Sequence, residues 1–506
     1  MITPREIPFY PYYSFTLLTL HHMSLTQKIA RNTIIQFSGK IIGTIFGVLT
    51  VAIMARYLGK IGFGQYSTIT AYLQFFAILV DMGLSVTIVR LLADPQFNEQ
   101  KVISNVFSLR FFSALIFLGI APLVVIFFPY DNIIKVGIAV TTLSYFFSAL
   151  NLIIIGLFQK KLKMFSVTLA EVAGRLVLLI LVFIFALADF GLLAIMLAVV
   201  LGSLINFILN YLFALKYVRI NFAFDWDLWH KIIQATWPIA ISIAFNLVYF
   251  KADTIILSLV RTQAEVGIYN APYRVLEILT NFIYLFTGLI FPILTLNWAQ
   301  KNFQKFREIF QKTFDVLIIL AIPMIFGTLF IAQDLMLLIA GPEFKESGLV
   351  LQIIILATAI IFVNSLYGYI IVAIDKQKQM VGAYIFVAIV ALVGYILTIP
   401  AYGYIGAAIF TIISEALIFL FNIIVVTKIT QFNPSLKIIA KSLAASVIMS
   451  GILYFMHGQN VIWQLILATF TYILALYFFK GFDKTLVRQI FSLKSLPETE
   501  KIDGPI

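Results

Sequence analysis

Cysteine is absent from the chain, which excludes disulfides, thiolate metal ligands and a cysteine nucleophile. Charge is scarce: Asp, Glu, Lys and Arg make up 11% of 506 residues, where soluble domains run near about 25%. Histidine occurs at His21, His22, His230 and His457 only, with no ligand-spaced set beyond the adjacent pair. A Walker lysine motif, Gly-x-Ser-x-Gly and His-Glu-x-x-His are all missing, so the chain itself hydrolyses no ATP and no cofactor or metal is expected. Long soluble stretches are missing too. The longest extramembrane segments, about 216–231, 298–308, 332–348 and the tail, are too short for a catalytic domain.

What remains is apolar. Hydrophobic residues make up 62% of the chain, in runs of roughly 18–30 residues, long enough to cross a bilayer as helices and without the alternation of barrel strands. The fold class is therefore an all-α polytopic membrane protein of about 14 transmembrane helices. The spans read as about 32–56, 63–90, 104–128, 133–158, 166–188, 191–215, 232–260, 267–297, 309–332, 349–374, 380–399, 403–427, 437–456 and 460–479. The net charge of +12 does not point to nucleic acid, because 24 Lys and Arg fall in alternate loops and tails on one side. The other side has Arg56, Lys60, Lys135, Arg261 and Lys345. The positive-inside rule then puts both termini in the cytoplasm. Arg110, near a cytoplasmic end, is expected to snorkel to the interface.

Residues 1–22 do not resemble a signal peptide, and the register changes at Met23, so 1–22 is expected to be an extension preceding the native start. The chain also repeats itself. SALNLIIIGLFQKKLKM (148–164) matches NSLYGYIIVAIDKQKQM (364–380), and FGLLAIMLAVVLGSLINFILNYL (190–212) matches YGYIGAAIFTIISEALIFLFNII (402–424). RYLGKIGFGQY (56–66) and RTQAEVGIYN (261–270) each place an Arg ahead of a Gly-x-Tyr. These matches predict parallel six-helix lobes at 23–220 and 221–430, two added helices in 431–480 and a cytoplasmic tail at 481–506. A transport path is expected where the lobes face each other.

Charges inside spans cost about 2.5–3.5 kcal/mol each on insertion scales, so they mark candidate sites. Lys251 and Asp253 fall at i,i+2 and point apart. Arg274 and Glu277 (i,i+3), and Glu171 and Arg175 (i,i+4), can neutralise each other. Lys40, Lys251, Arg274 and Arg175 are the candidate substrate-binding cations, with Lys251 the sharpest because its own helix offers it no partner. Asp253, Glu277, Asp81, Glu171, Asp315 and Glu415 are candidate counter-ions or ion-coupling groups. Gly43 and Gly47 form a small-xxx-small pair that predicts close helix packing. Tyr249, Tyr269 and Tyr273 are read as interfacial anchors or sugar-stacking rings. Pro238, Pro272, Pro292 and Pro323 are candidate kinks or hinges.

MSLTQKIARNTIIQFSGKIIGT, RYLGKIGFGQYS and DTIILSLVRTQAEVGIYNAPYRV resemble the polysaccharide-biosynthesis flippases of the multidrug/oligosaccharidyl-lipid/polysaccharide exporter superfamily. The likeness runs from Met23 to about Phe479. It implies two six-helix lobes around a cationic cavity and movement of undecaprenyl- or dolichyl-pyrophosphate-linked oligosaccharide by alternating access, without an enzymatic step. Membrane lipids, glycan polymerases and glycosyltransferases of the same pathway are the implied partners. A drug/cation antiporter of the same superfamily is the first alternative, and its cavity should be neutral or acidic. A membrane glycan polymerase is the second, disfavoured by the short external loops.

Overall fold

The computed structural model describes residues 25–81, 83–93 and 98–481, with the backbone alone at 25–34, 86, 87, 89, 90, 93, 235 and 237–250. The extension at 1–22, the Met23 start and the tail beyond Gly481 lie outside the described residues. So do the side chains of Lys28, Arg31, Arg90, Pro238 and Tyr249.

Every regular element among the described residues is helical. They are α1 (Leu25–Asp81), α2 (Leu84–Ala93), α3 (Glu99–Val124), α4 (Asn132–Lys160), α5 (Met164–Leu187), α6 (Gly191–Ala214) and α7 (Trp226–Val260). The chain continues through α8 (Gln263–Ala299), α9 (Phe303–Ala340), α10 (Ser347–Ala373), α11 (Gln377–Thr430), α12 (Lys437–Phe455) and α13 (Val461–Phe478). Eleven of these are long and apolar enough to span a membrane. At 57 and 54 residues, α1 and α11 far exceed the roughly 20 residues that one crossing needs. Each is two segments meeting at a glycine of positive φ, Gly59 (φ 61°) and Gly403 (φ 55°), a conformation that penalises any Cβ. Counting both segments of each, and α7, gives about the expected 14 crossings.

Two differences from the sequence reading stand out. The junctions near 56–66 and 399–403 are sharp kinks rather than loops. The expected span at 63–90 stops at Asp81 and restarts as the short α2, with Gly83 at φ 76°. Helix starts follow ordinary capping chemistry: the side chains of Asn98, Thr262 and Asn302 accept hydrogen bonds from the backbone N–H of Lys101, Glu265 and Lys305.

The chain divides into two compact units. Unit 1 takes in residues up to Thr50 and Leu73–Ile243, and unit 2 takes in Val51–Tyr72 and Ala244 onward. Unit 1 has an apolar core where α2, α3, α4 and α6 meet, with Ile88, Ile103, Ile153, Phe158 and Ala214 fully or nearly fully buried. In unit 2, α8, α10 and α11 pack around Tyr269, Ile354 and Tyr395. Helices α12 and α13 join that unit through α9, where Tyr472 Oη donates to the Ile319 carbonyl at 2.8 Å. Large apolar side chains such as Leu187, Trp463 and Phe470 point outward, as lipid contact allows, while Arg110, Asp253 and Glu415 lie inside.

The two repeat-related arginines do matching work within unit 2. Arg56 donates from Nη2 to Leu338 O at 2.6 Å and from Nε to Ile339 O at 3.4 Å, at the carboxyl end of α9. Arg261 donates from Nη2 to Pro400 O at 3.0 Å and from Nε to Ile399 O at 3.3 Å, where the first segment of α11 ends. Each cation thus answers the negative end of a helix dipole. A carboxylate sits at each kink as well: Glu343 accepts from the Lys60 N–H at 3.0 Å, and Glu265 lies beside Gly403.

Candidate functional site

In unit 2, α7 and α8 bring three of the expected charges together. Glu277 Oε2 accepts from Arg274 Nη1 at 2.9 Å, and its Oε1 lies 3.5 Å from Lys251 Nζ. The carboxylate therefore bridges both cations. All three side chains are only partly buried. Arg274 also lies over the Tyr66 ring at 5.8 Å, a cation–π contact between the two motifs that flank the repeat. Among these three groups, two cations share one carboxylate, which leaves one positive charge.

Asp253 faces elsewhere, as its spacing from Lys251 predicts. It is 2% exposed and accepts from Tyr269 Oη at 2.6 Å. Tyr269 and Tyr273 Oη are 2.7 Å apart, and Thr411 Oγ1 lies 3.3 Å and 3.1 Å from them. Tyr269 is fully buried, so it is neither an interfacial anchor nor a sugar-stacking platform. The ordinary signal for such burial, a hydroxyl one turn from another hydroxyl and near a carboxylate, was present in the sequence but ambiguous. Glu415 on α11 is 2% exposed, and its Oε1 has no hydrogen-bond partner among the described residues. Asp315 on α9 accepts from Gln311 Nε2 at 2.7 Å.

In unit 1, Arg175 and Glu171 pair at 2.8 Å along one turn of α5, and Arg175 Nη1 donates to Gly43 O at 2.9 Å. A Cβ on Gly43 would stand 3.1 Å from Arg175 Cδ, and one on Gly47 3.3 Å from Arg175 Nη1. The Gly43/Gly47 stripe therefore makes room for a long cationic side chain rather than for a close helix backbone. Lys40 is half-buried on α1, with no ion pair among the described residues.

Asp81 on α1 pairs with Arg110 on α3. Its Oδ1 holds Arg110 Nη2 at 2.5 Å, while Arg110 Nη1 donates to Val80 O at 2.7 Å. Arg110 is 0% exposed, so it does not snorkel: an internal carboxylate and a carbonyl take its two Nη groups, while its buried Nε has no hydrogen-bond partner among the described residues. No group of three or more metal-ligating side chains occurs among the described residues.

Fold and charges together define a multi-pass helical membrane protein with ionisable groups held inside its spans, the build of a transporter. A family model described as polysaccharide biosynthesis protein matches residues 29–298, and the chain belongs to that family. A second model, MatE, matches residues 238–399. Two relatives from Haloferax volcanii are similar in sequence. A probable low-salt glycan biosynthesis flippase, Agl15, is 25% identical over 44% of this chain and 48% of its own length. A probable flippase, AglR, is 24% identical over 41% and 44%. The chain thus spans about half the length of the curated relatives it matches. Among solved structures, the lipid II flippase MurJ in an inward closed conformation superposes with a TM-score of 0.72 and 17% identity, over 91% of this chain and all of that one. An inward-facing multidrug resistance MATE transporter gives 0.63 and 13%, over 79% and 99%.

Proposed function

We propose that the chain is a flippase for oligosaccharides linked to undecaprenyl or dolichyl pyrophosphate, working by alternating access in the cytoplasmic membrane with both termini cytoplasmic. The observation that carries this reading is the Lys251–Glu277–Arg274 cluster, partly open and net positive. A pyrophosphate cannot cross an apolar core uncompensated, and Arg offers it a bidentate fork. Lys40 is a further cation available to the cargo, whereas Arg175 is neutralised by Glu171 at 2.8 Å. The named flippase relatives and the duplicated segments at 148–164/364–380 and 190–212/402–424 support the same reading, including lobes at 23–220 and 221–430. Gly191 and Gly403, equivalent in the second repeat, both adopt positive φ.

The MatE match over 238–399 raises a drug/cation antiporter as the second reading. A net positive cluster disfavours a cationic cargo. The test is translocation of a polyprenyl-pyrophosphate-linked oligosaccharide in proteoliposomes by Lys251→Ala, Arg274→Ala, Lys40→Ala and the triple variant. Loss of translocation is expected, most severe in the triple variant. Normal rates in all four would sink the assignment of these cations, and export of cationic dyes with no glycan movement would favour the antiporter.

A further inference from the structure

Unit 1 contains a cavity of about 330 Å³ framed by α4, α5 and α6. Five polar side chains face it: Asn151, Glu171, Arg175, Ser203 and Asn206. We infer that this cavity is a sugar-binding subsite, which takes one or two uncharged sugar residues of the cargo; the inference rests on the flippase reading above.

Asn151 carries the argument. It is 5% exposed and its Oδ1 has no hydrogen-bond partner among the described residues. A buried amide oxygen left unpaired is costly, and buried polar groups in folded proteins are nearly always satisfied. An acceptor held inside a cavity wall without a donor is therefore placed for a donor that arrives with a ligand. Asn206 supplies the opposite polarity: its Oδ1 accepts from Asn210 Nδ2 at 2.9 Å, which leaves its own NH₂ as the free end. Ser203 Oγ is held by Ser144 Oγ at 2.6 Å and donates to Val199 O at 2.9 Å, so its orientation is set before any ligand binds. Fixed donors and acceptors on several helices suit vicinal hydroxyls, each of which both donates and accepts.

Charge selects among ligands. Glu171 and Arg175 neutralise each other at 2.8 Å, and the other three polar groups are uncharged. The lining thus has no net charge, which favours neutral sugars over uronates or over the pyrophosphate itself. Size selects too: the volume is at the low end of the roughly 300–1,000 Å³ usual for small-molecule sites, enough for a mono- or disaccharide. Sites built to hydrogen-bond hydroxyls discriminate strongly against ligands that lack them.

The experiment compares two probes on the purified full chain in nanodiscs, bare polyprenyl pyrophosphate and the same lipid bearing a neutral disaccharide. The disaccharide should tighten Kd about tenfold, the scale of one or two net hydrogen bonds. Asn151→Leu, and Val199→Phe as a separate cavity-filling change, should each erase that increment and leave Kd for the bare lipid unaltered. Unchanged melting temperatures confirm that the variants fold. An increment that survives both variants overturns the subsite, as does a wild type that binds both lipids equally. If the wild type binds neither lipid, the flippase reading itself falls and the subsite with it.

Discussion

Lys251 Nζ lies 3.5 Å from Glu277 Oε1, on the carboxylate whose other oxygen takes Arg274 at 2.9 Å. An anion entering this cluster must compete with Glu277 for both cations. Removing the negative charge while keeping the shape, as in Glu277→Gln, should therefore tighten binding of bare polyprenyl pyrophosphate. The pairs are partly exposed, so the gain should be about two- to fivefold. Release should slow in proportion, which a single-turnover translocation assay would read as a lower rate at saturating cargo. An affinity equal to or weaker than wild type would show that the carboxylate does not compete.

The Arg110–Asp81 pair makes a sharper claim about stability. Arg110 has no exposed surface, so Asp81→Ala leaves a buried cation uncompensated, an error worth about 3–5 kcal/mol. Replacing both members by apolar residues, Arg110→Met with Asp81→Leu, should cost much less than Asp81→Ala alone. Thermal unfolding of the three proteins in one detergent checks the order. Equal melting points for Asp81→Ala and the double variant would refute the account.

That pair also marks the boundary of what the chain's letters disclose. The spans could be read because burial in lipid needs long apolar runs, and the run lengths survive without any tertiary information. The i,i+4 pairing of Glu171 with Arg175 could be read for the same reason, since one helix contains both. Arg110 meets Asp81 from a different helix, and nothing in either local segment announces the contact. The i,i+3 spacing pairs Glu277 with its neighbour Arg274, but the distance to Lys251 depends on how α7 and α8 pack. Gly59 falls in a stretch that reads as a loop and Gly403 at the first residue of an expected span, because a glycine of positive φ inside a helix leaves no periodic signature. Asn151 gives no signal of its own, because a lone Asn in an apolar run has several equally ordinary roles.

Gly59 gives a prediction with an internal control. Its φ is 61°, and a Cβ there would stand 2.7 Å from Glu343 Oε2. Gly59→Ala should cost about 1–3 kcal/mol from backbone strain alone, since φ 61° with ψ −176° is a region essentially reserved for glycine, plus the cost of displacing a carboxylate that holds the Lys60 N–H. Glu343→Ala removes the clash and leaves the strain, so the double variant should be more stable than the sum of the single losses predicts. Chemical or thermal unfolding of the four-member cycle measures the coupling. Strict additivity would mean that the glycine and the glutamate act independently.

Gly43 tests the purpose of the glycine stripe on α1. If the stripe only allows helices to pack, its enlargement should act through the fold alone. The distances instead place Arg175 against it, at 3.1 Å for Cδ and with a hydrogen bond of 2.9 Å from Nη1 to Gly43 O. Gly43→Leu should push the guanidinium away, break that bond and disturb the Glu171–Arg175 pair. Gly119, whose Cβ would meet nothing within 4 Å, supplies the comparison: Gly119→Leu should leave stability within about 0.5 kcal/mol of wild type. Gly43→Leu should lower the melting temperature and slow translocation, and the double variant with Arg175→Ala should be better tolerated than Gly43→Leu alone. If shortening Arg175 brings no relief, the side chain is not what the glycine accommodates.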